Sequence, residues 1–288
     1  MSEPESQWFE SSGGTIHYRI AGDGPRSMVM IHGGGPGAEG MSNYRDVLPH
    51  FIDRYRVVVP DMPQWGNSDK RPIRGNRFEH NARVFGELLD HLGMRDADII
   101  GNSMGGSTAI RLAHDRPELV RRVVAMGSTC GYSMPPTKEL WPPAGLRAMH
   151  GYYRDPSLDA MTELLQMFFY DPSNLSPDLI KRRYDASIEP GHLEALRDAK
   201  ANGTVNEDLS GLMPSIEKPV LLLWAMNDQF SSLEYGLLFA RLLPQSRLIM
   251  LPRCGHWAHV ERPEEFTRIT AAFLEEGDIE SASLTVRG

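Results

Sequence analysis

Residues Ile99-Ile100-Gly101-Asn102-Ser103-Met104-Gly105-Gly106 decide the fold. Asp96 to Ile100 reads as a short buried strand, and Ser107 to Ala113 as the start of a helix. A serine between glycines at a strand-to-helix junction fits the G-x-S-x-G nucleophile elbow. The turn is so tight that the serine backbone is strained, and Gly101 and Gly105 carry no side chain to clash where its arms meet. The hydroxyl then projects from the end of a sheet, and the first N–H groups of the new helix aim at the same spot.

Outward from the elbow, strands and helices alternate. Thr15–Ile20, Ser27–His32 and Tyr55–Pro60 read as strands, Tyr44–Phe51 and 78–92 as helices, and Val120–Met126 as the strand after the elbow helix. That order argues for a parallel sheet covered on both faces by helices. The alternation stops after Met126. Residues 130–212 have helical periodicity, are rich in Met, Trp, Tyr, Phe and Pro, and read as a cap inserted into the sheet domain. The sheet domain accordingly comprises 1–129 and 213–288, with 1–11 and 277–288 expected to be disordered. Alternation resumes with Val220–Trp224 (strand), 233–242 (helix), 247–251 (strand) and 263–275 (helix).

A serine hydroxyl needs a base to take its proton, and the base needs a carboxylate to orient it. In this arrangement the chain order is serine, acid, histidine. Asp228 stands four residues beyond the strand-end Trp224, and His256 follows the last strand in Cys254-Gly255-His256-Trp257. Ser103, Asp228 and His256 thus all fall at the C-terminal ends of strands, where open α/β sheets bind ligands. A tetrahedral oxyanion would need preorganised donors. The N–H of Met104 is one, and the Gly33-Gly34-Gly35 loop supplies the other.

Composition narrows the remaining classes. A net charge of −8 speaks against nucleic acid or an anionic membrane as partner. Two distant cysteines give neither a disulfide framework nor metal-ligand spacing, and no glycine-loop pattern for nucleotides follows. His80, His91, His114, His150 and His192 are scattered without ligand spacing, and His17 and His50 read as surface or partly packed. His259 is expected to point away from His256. The polar, acidic start is unlike a signal peptide and no apolar run spans a bilayer, so a soluble cytoplasmic protein is expected.

Four stretches together resemble the meta-cleavage product hydrolases of the α/β-hydrolase fold: His32 to Ala38, Ser42-Asn43-Tyr44, Gly101 to Gly106, and Cys254 to Ala258. The resemblance runs from about Thr15 to Leu274. It implies a helically capped α/β-hydrolase that cleaves a C–C bond of a 2-hydroxy-6-oxo-hexa-2,4-dienoate, with no metal or organic cofactor and as a homo-oligomer. Carried over by position, Gly34 and Met104 donate to the oxyanion, Gly33, Gly35 and Asn43 lie against substrate, and Asn102, Arg183 and Trp257 hold the dienoate end. Arg183 suits a carboxylate because its planar fork pairs bidentately, and Arg182 competes for that role. The chain departs from the family pattern at Asp61-Met62-Pro63-Gln64-Trp65-Gly66, where Pro-Gly-Phe is more usual, and at Ala225. A carboxylesterase or lactonase with the same triad, or a non-catalytic binder, are the competing readings. The group beyond the ketone is left open, with the Met-rich aromatic cap hinting at an apolar one.

Overall fold

Strands in this chain are near-continuous apolar runs, as expected where both faces of a sheet are covered. The computed structural model describes residues 4–131, 143–197, 199 and 201–276. Its main sheet has eight strands: β1 (Ser6–Ser11), β2 (Gly14–Ala21), β3 (Arg26–Ile31), β4 (Tyr55–Pro60), β6 (Ala97–Asn102), β7 (Val120–Met126), β9 (Val220–Ala225) and β10 (Ser246–Leu251). Their order is β1-β2-β4-β3-β6-β7-β9-β10. The pairings from β4 through β10 are parallel, while β1 on β2 and β2 on β4 are antiparallel. The expected doubly covered parallel sheet is therefore present, with an antiparallel edge.

Alternate residues of each strand feed opposite faces. Val29, Ile31, Ile99, Val123 and Leu222 pack with Phe78, Phe85 and Leu89 of α2 (Arg77–His91), Ile110 and Leu112 of α3 (Met104–Asp115), and Phe239 of α8 (Leu233–Leu242). Their neighbours Met28, Met30, Ile100, Val124 and Leu223 meet Tyr44 of α1 (Gly40–Tyr44) and Phe266 and Phe273 of α10 (Pro263–Glu275). Both layers are built of buried apolar side chains, and the C-terminal edge of the sheet carries the site.

Between β7 and β9 the described chain forms α4 (Ala144–Arg154), α5 (Leu158–Gln166), α6 (Pro177–Ser187) and α7 (His192–Arg197). Tyr152, Met161, Leu164, Leu165 and Phe168 build a third apolar cluster, which Phe230 and Trp257 of the sheet side join. Two residues each of β5 (Gly75–Asn76) and β8 (Thr204–Val205) pair outside the main sheet.

Two expectations are corrected. Residues 6–11 are not disordered: they form β1, with Gln7 opposite Tyr18 and Trp8 opposite His17, the two rings 5.3 Å apart. Its side chains stay largely exposed, so burial periodicity gave no signal; backbone pairing to β2 carries the strand. The helix expected over Tyr44–Phe51 is instead α1, ending at Tyr44, followed by a 3-10 turn at Leu48–His50. Pro49 has no N–H to extend an α-helix from Arg45. The tail 277–288 and residues 132–142 of the expected cap lie outside the described residues.

Candidate active site

The elbow sequence forces its geometry. Ser103 has φ 53° and ψ −119°, a conformation costly for a residue with a side chain, and its N–H is held by the Met126 carbonyl at 2.6 Å. A Cβ on Gly101 would sit 2.4 Å from the carbonyl carbon and oxygen of Gly105, and one on Gly105 would sit 2.1 Å from the Ile31 carbonyl oxygen. Glycine at both positions is thus steric necessity. Helix α3 starts at Met104, so its unsatisfied N-terminal N–H groups lie beside the serine.

Asp228 follows β9. Its Oδ1 accepts the backbone N–H groups of Phe230 (2.7 Å) and Ser231 (2.9 Å), which leaves Oδ2 for the His256 Nδ1–H at 2.6 Å. That bond fixes the tautomer and leaves Nε2 as the basic nitrogen. The imidazole packs against the neighbouring rings of Phe230 (5.0 Å) and Phe168 (5.6 Å), themselves 4.2 Å apart, and only 4% of the residue is exposed.

One cavity collects ten residues. Gly33, Gly34, Gly35, Asn43, Asn102 and Ser103 line it from the sheet side, together with His256 and Trp257. Phe168 and Arg183 close it from the α4–α7 layer. The structure therefore brings the glycine loop, the serine, the histidine, both asparagines, Arg183 and Trp257 around one space. Met104 borders it, its side chain packed against Gly34. Arg182 does not join them: it is half exposed and ion-paired with Asp178 on the outer face of α6.

Arg183 is 2% exposed. Its guanidinium lies 5.2 Å over the Trp257 ring, and its Nε has no hydrogen-bond partner among the described residues. Burial pulls its pKa down to about 10, which keeps it cationic at neutral pH. A Cβ on Gly35 would come within 3.2 Å of its Nη2, so the glycine loop makes room for the fork. Asn102 donates to the His256 carbonyl at 3.3 Å, while its own Oδ1 is buried without a partner. Asn43 is anchored by the Glu39 carbonyl at 2.9 Å.

Several roles escaped sequence reasoning. Phe168 and Phe230 were indistinguishable from cap and core aromatics, yet both pack against His256. His192, set aside as scattered, is 1% exposed and bonded to the Gly37 N–H, with no spacing pattern to reveal it. His17 is likewise no surface residue; it is buried and bonds Asp61 at 2.7 Å. His259 is fully buried against Tyr44 and Phe266, away from the cavity lining. Among the described residues no cluster of three or more His, Cys, Asp or Glu side chains could hold a metal ion. Cys130 and Cys254 are both buried free thiols. No described helix is long and apolar enough to cross a membrane.

Comparison with known proteins agrees with this geometry. The α/β hydrolase fold family matches residues 27–263. The 2-hydroxy-6-oxononadienedioate/2-hydroxy-6-oxononatrienedioate hydrolase of Paraburkholderia phymatum is 37% identical over 268 residues, 91% of this chain and 92% of its own. The solved meta-cleavage product hydrolase of Pseudomonas fluorescens IP01 superposes with a TM-score of 0.83 at 28% identity, covering 93% of this chain and 97% of its own. The 2-hydroxy-6-oxo-6-phenylhexa-2,4-dienoate hydrolase of Rhodococcus sp. strain RHA1 gives 0.81 at 27% identity, covering 96% and 100%. The chain belongs to the α/β-hydrolase fold family and, within it, to the meta-cleavage product hydrolases.

Proposed function

We propose that this protein hydrolyses the C–C bond beside the ketone of a 2-hydroxy-6-oxo-hexa-2,4-dienoate, releasing a carboxylic acid and 2-hydroxypenta-2,4-dienoate. The observation that carries this reading is Arg183: a buried cation with an unpartnered Nε, facing the same cavity as Ser103 and His256. A buried guanidinium is costly unless an anion pairs with it. A substrate bearing a carboxylate at one end and a ketone at the other satisfies both halves of the cavity. A simple carboxylesterase or lactonase would leave Arg183 idle.

The geometry supports the roles that the family resemblance implies. The carboxylate pairs with Arg183, with Asn102 and Trp257 beside it, and Asn43 lies toward the carbonyl side. The dienol first becomes its keto tautomer, with His256 taking part in the proton relocation, so that the departing carbon fragment can carry the electron pair. Ser103 Oγ then gives its proton to His256 Nε2 and attacks the ketone, and the N–H groups of Gly34 and Met104 receive the oxyanion. Cleavage leaves an acyl-serine, and the proton on His256 passes to the departing dienolate, which leaves as 2-hydroxypenta-2,4-dienoate and returns the imidazole to its neutral form. His256 takes a proton from water, the resulting hydroxide attacks the acyl carbon, and Ser103 recovers its proton as the acid leaves. Asp228 stabilises the imidazolium in both halves.

We also propose a cytoplasmic setting, in keeping with two buried thiols left unpaired, and self-association, for which the exposed Met250 of edge strand β10 and Met226 just past β9 offer apolar surface. Light scattering after gel filtration tests the second. The main test is absorbance of the yellow dienolate of 2-hydroxy-6-oxo-6-phenylhexa-2,4-dienoate, for wild type and Ser103→Ala. Bleaching by wild type that Ser103→Ala loses supports the reading. A wild type that cleaves p-nitrophenyl acetate and spares the dienolate refutes it in favour of an esterase.

A further inference from the structure

The glycine loop has little to stiffen it from within. Residues 33–37 contain four glycines and one proline, and apart from the Ala38 N–H bond to Gly35 (3.1 Å) their geometry depends on what grips them from outside. Three ring systems do so. His32 accepts the Met62 N–H at Nε2 (2.9 Å), which leaves its Nδ1–H to donate to the Gly33 carbonyl at 2.7 Å. The Trp65 indole N–H donates to the Gly35 carbonyl at 2.9 Å. His192, from the first turn of α7, accepts the Gly37 N–H at Nε2 (2.9 Å), and its Nδ1–H reaches the Gln64 carbonyl at 3.2 Å. Burial pulls the pKa values of both histidines down to about 4, so both stay neutral and keep the acceptor each bond requires.

The stretch Gln64-Trp65, a departure from the family pattern, supplies one of these grips and braces another: Trp65 holds Gly35, and the Gln64 carbonyl accepts from His192. Gln64 is fully buried at φ 78°, a left-handed conformation unfavourable for a residue with a side chain. Its Oε1 accepts from Arg77 at 2.9 Å, and the Arg77 guanidinium lies 5.4 Å over the Trp65 ring. Strain accepted at a buried position, with both side chains tied to one arginine, over-determines where the indole N–H and the Gln64 carbonyl point. They point at the Gly35 carbonyl and at His192.

Gly37 joins this assembly to the anchor helix. A Cβ there would lie 1.9 Å from the Arg183 carbonyl oxygen, so the backbone of α6 rests directly on the loop that His192 grips. The loop carrying the Gly34 donor and the helix carrying Arg183 therefore meet at one residue.

We propose that Trp65 and His192 are positioning residues for acyl transfer: together they clamp residues 33–37 so that the Gly34 N–H stays aimed at the developing oxyanion, and His192 seats the Arg183 helix on the same loop. The clamp rests on Gly34 being an oxyanion donor. Loss of Trp65's bond frees the Gly35 peptide, next but one to that donor's, and displacing the donor by a fraction of an ångström costs the transition state more than the ground state.

The test uses Trp65→Phe, His192→Phe and His192→Gln, with two substrates. The nitrophenol burst from p-nitrophenyl acetate gives the acylation rate per titrated active site, independent of how much protein is folded. Trp65→Phe is expected to lower that rate by roughly 10- to 100-fold, the scale of a slightly misplaced catalytic group, with KM for the phenyl dienoate within about twofold of wild type. His192→Phe lowers the rate similarly and also raises the dienoate KM, because the Arg183 helix loses its seat. His192→Gln, whose amide oxygen can accept from Gly37, recovers most of both. A merely structural role would lower Tm while leaving the burst rate per site unchanged, and that result overturns the proposal. Should one replacement fail to fold, the other decides, since both bonds act on one loop. A wild type that gives the burst but spares the dienoate would refute the C–C reading, and the burst rates would still decide the clamp.

Discussion

Replacing Arg183 by methionine tests the anchor in two opposite directions at once. In the complex, a bidentate guanidinium–carboxylate pair supplies two charge-assisted hydrogen bonds of about 1.5–3 kcal/mol each, so their loss should cost about 3–6 kcal/mol of transition-state binding. At about 1.4 kcal/mol per tenfold, kcat/KM on the phenyl dienoate should fall by roughly 10²–10⁴. In the free protein the sign reverses. The guanidinium is 2% exposed with its Nε unpartnered, and replacing a buried charge by an apolar side chain of similar volume is often neutral or stabilising by about 1–4 kcal/mol. The loss of the stack on Trp257, 5.2 Å away, offsets part of this, so the expected gain is about 1–2 kcal/mol, or a Tm higher by roughly 2–5 °C. Steady-state absorbance at the dienolate band gives the first quantity and thermal unfolding by circular dichroism the second. Hydrolysis of p-nitrophenyl acetate, which has no carboxylate to anchor, should change by less than about threefold. A dienoate kcat/KM within fivefold of wild type, or a loss on the ester as large as that on the dienoate, would refute the reasoning.

Asp228→Asn should preserve the fold but cannot hold His256 in the same tautomer; stopped-flow rates should fall by about 10⁴, and a drop under tenfold would remove Asp228 from the mechanism. His32 and His192 are neutral in the folded chain, with pKa values pulled to about 4, and His259 is pulled to about 3, in each case chiefly by burial. The unfolded chain binds these protons near pH 6.5, so stability should be level above that pH and fall as pH drops from 6.5 toward 4, by up to about 3 kcal/mol for each of His32 and His192. Urea midpoints that are equal at pH 7.5 and pH 5 would contradict it. Gly105→Ala should abolish folding because its Cβ meets the Ile31 carbonyl oxygen at 2.1 Å, whereas Gly93→Ala, at φ 64° in open space, should cost only about 1 kcal/mol. A Gly105→Ala protein melting within 2 °C of wild type would show that the elbow can relax.

What the sequence determined by itself is local chemistry and its order. The apolar runs from Ser27 to Trp224 dictated strands, and the glycines around Ser103 dictated the elbow: at Gly101 the steric exclusion acts against Gly105, close in the chain, whereas the clash at Gly105 is with Ile31 of a neighbouring strand and shows only in the fold. Asp228 and His256 were legible because each had to follow a strand end in a fixed order. Strand β1 was not legible, since its exposed side chains carry no burial pattern and only pairing with β2 makes it a strand. The choice between Arg182 and Arg183 lay equally beyond the sequence. Adjacent residues on a helix point about 100° apart, and only the packing of α6 on the glycine loop decided which one is buried and which meets Asp178 in solvent. The bonds from Trp65 and His192 to residues 35 and 37 span 30 and 155 positions, so no periodicity or spacing encodes them. Tertiary structure alone decides such contacts, because they depend on how separately folded elements come to rest against one another.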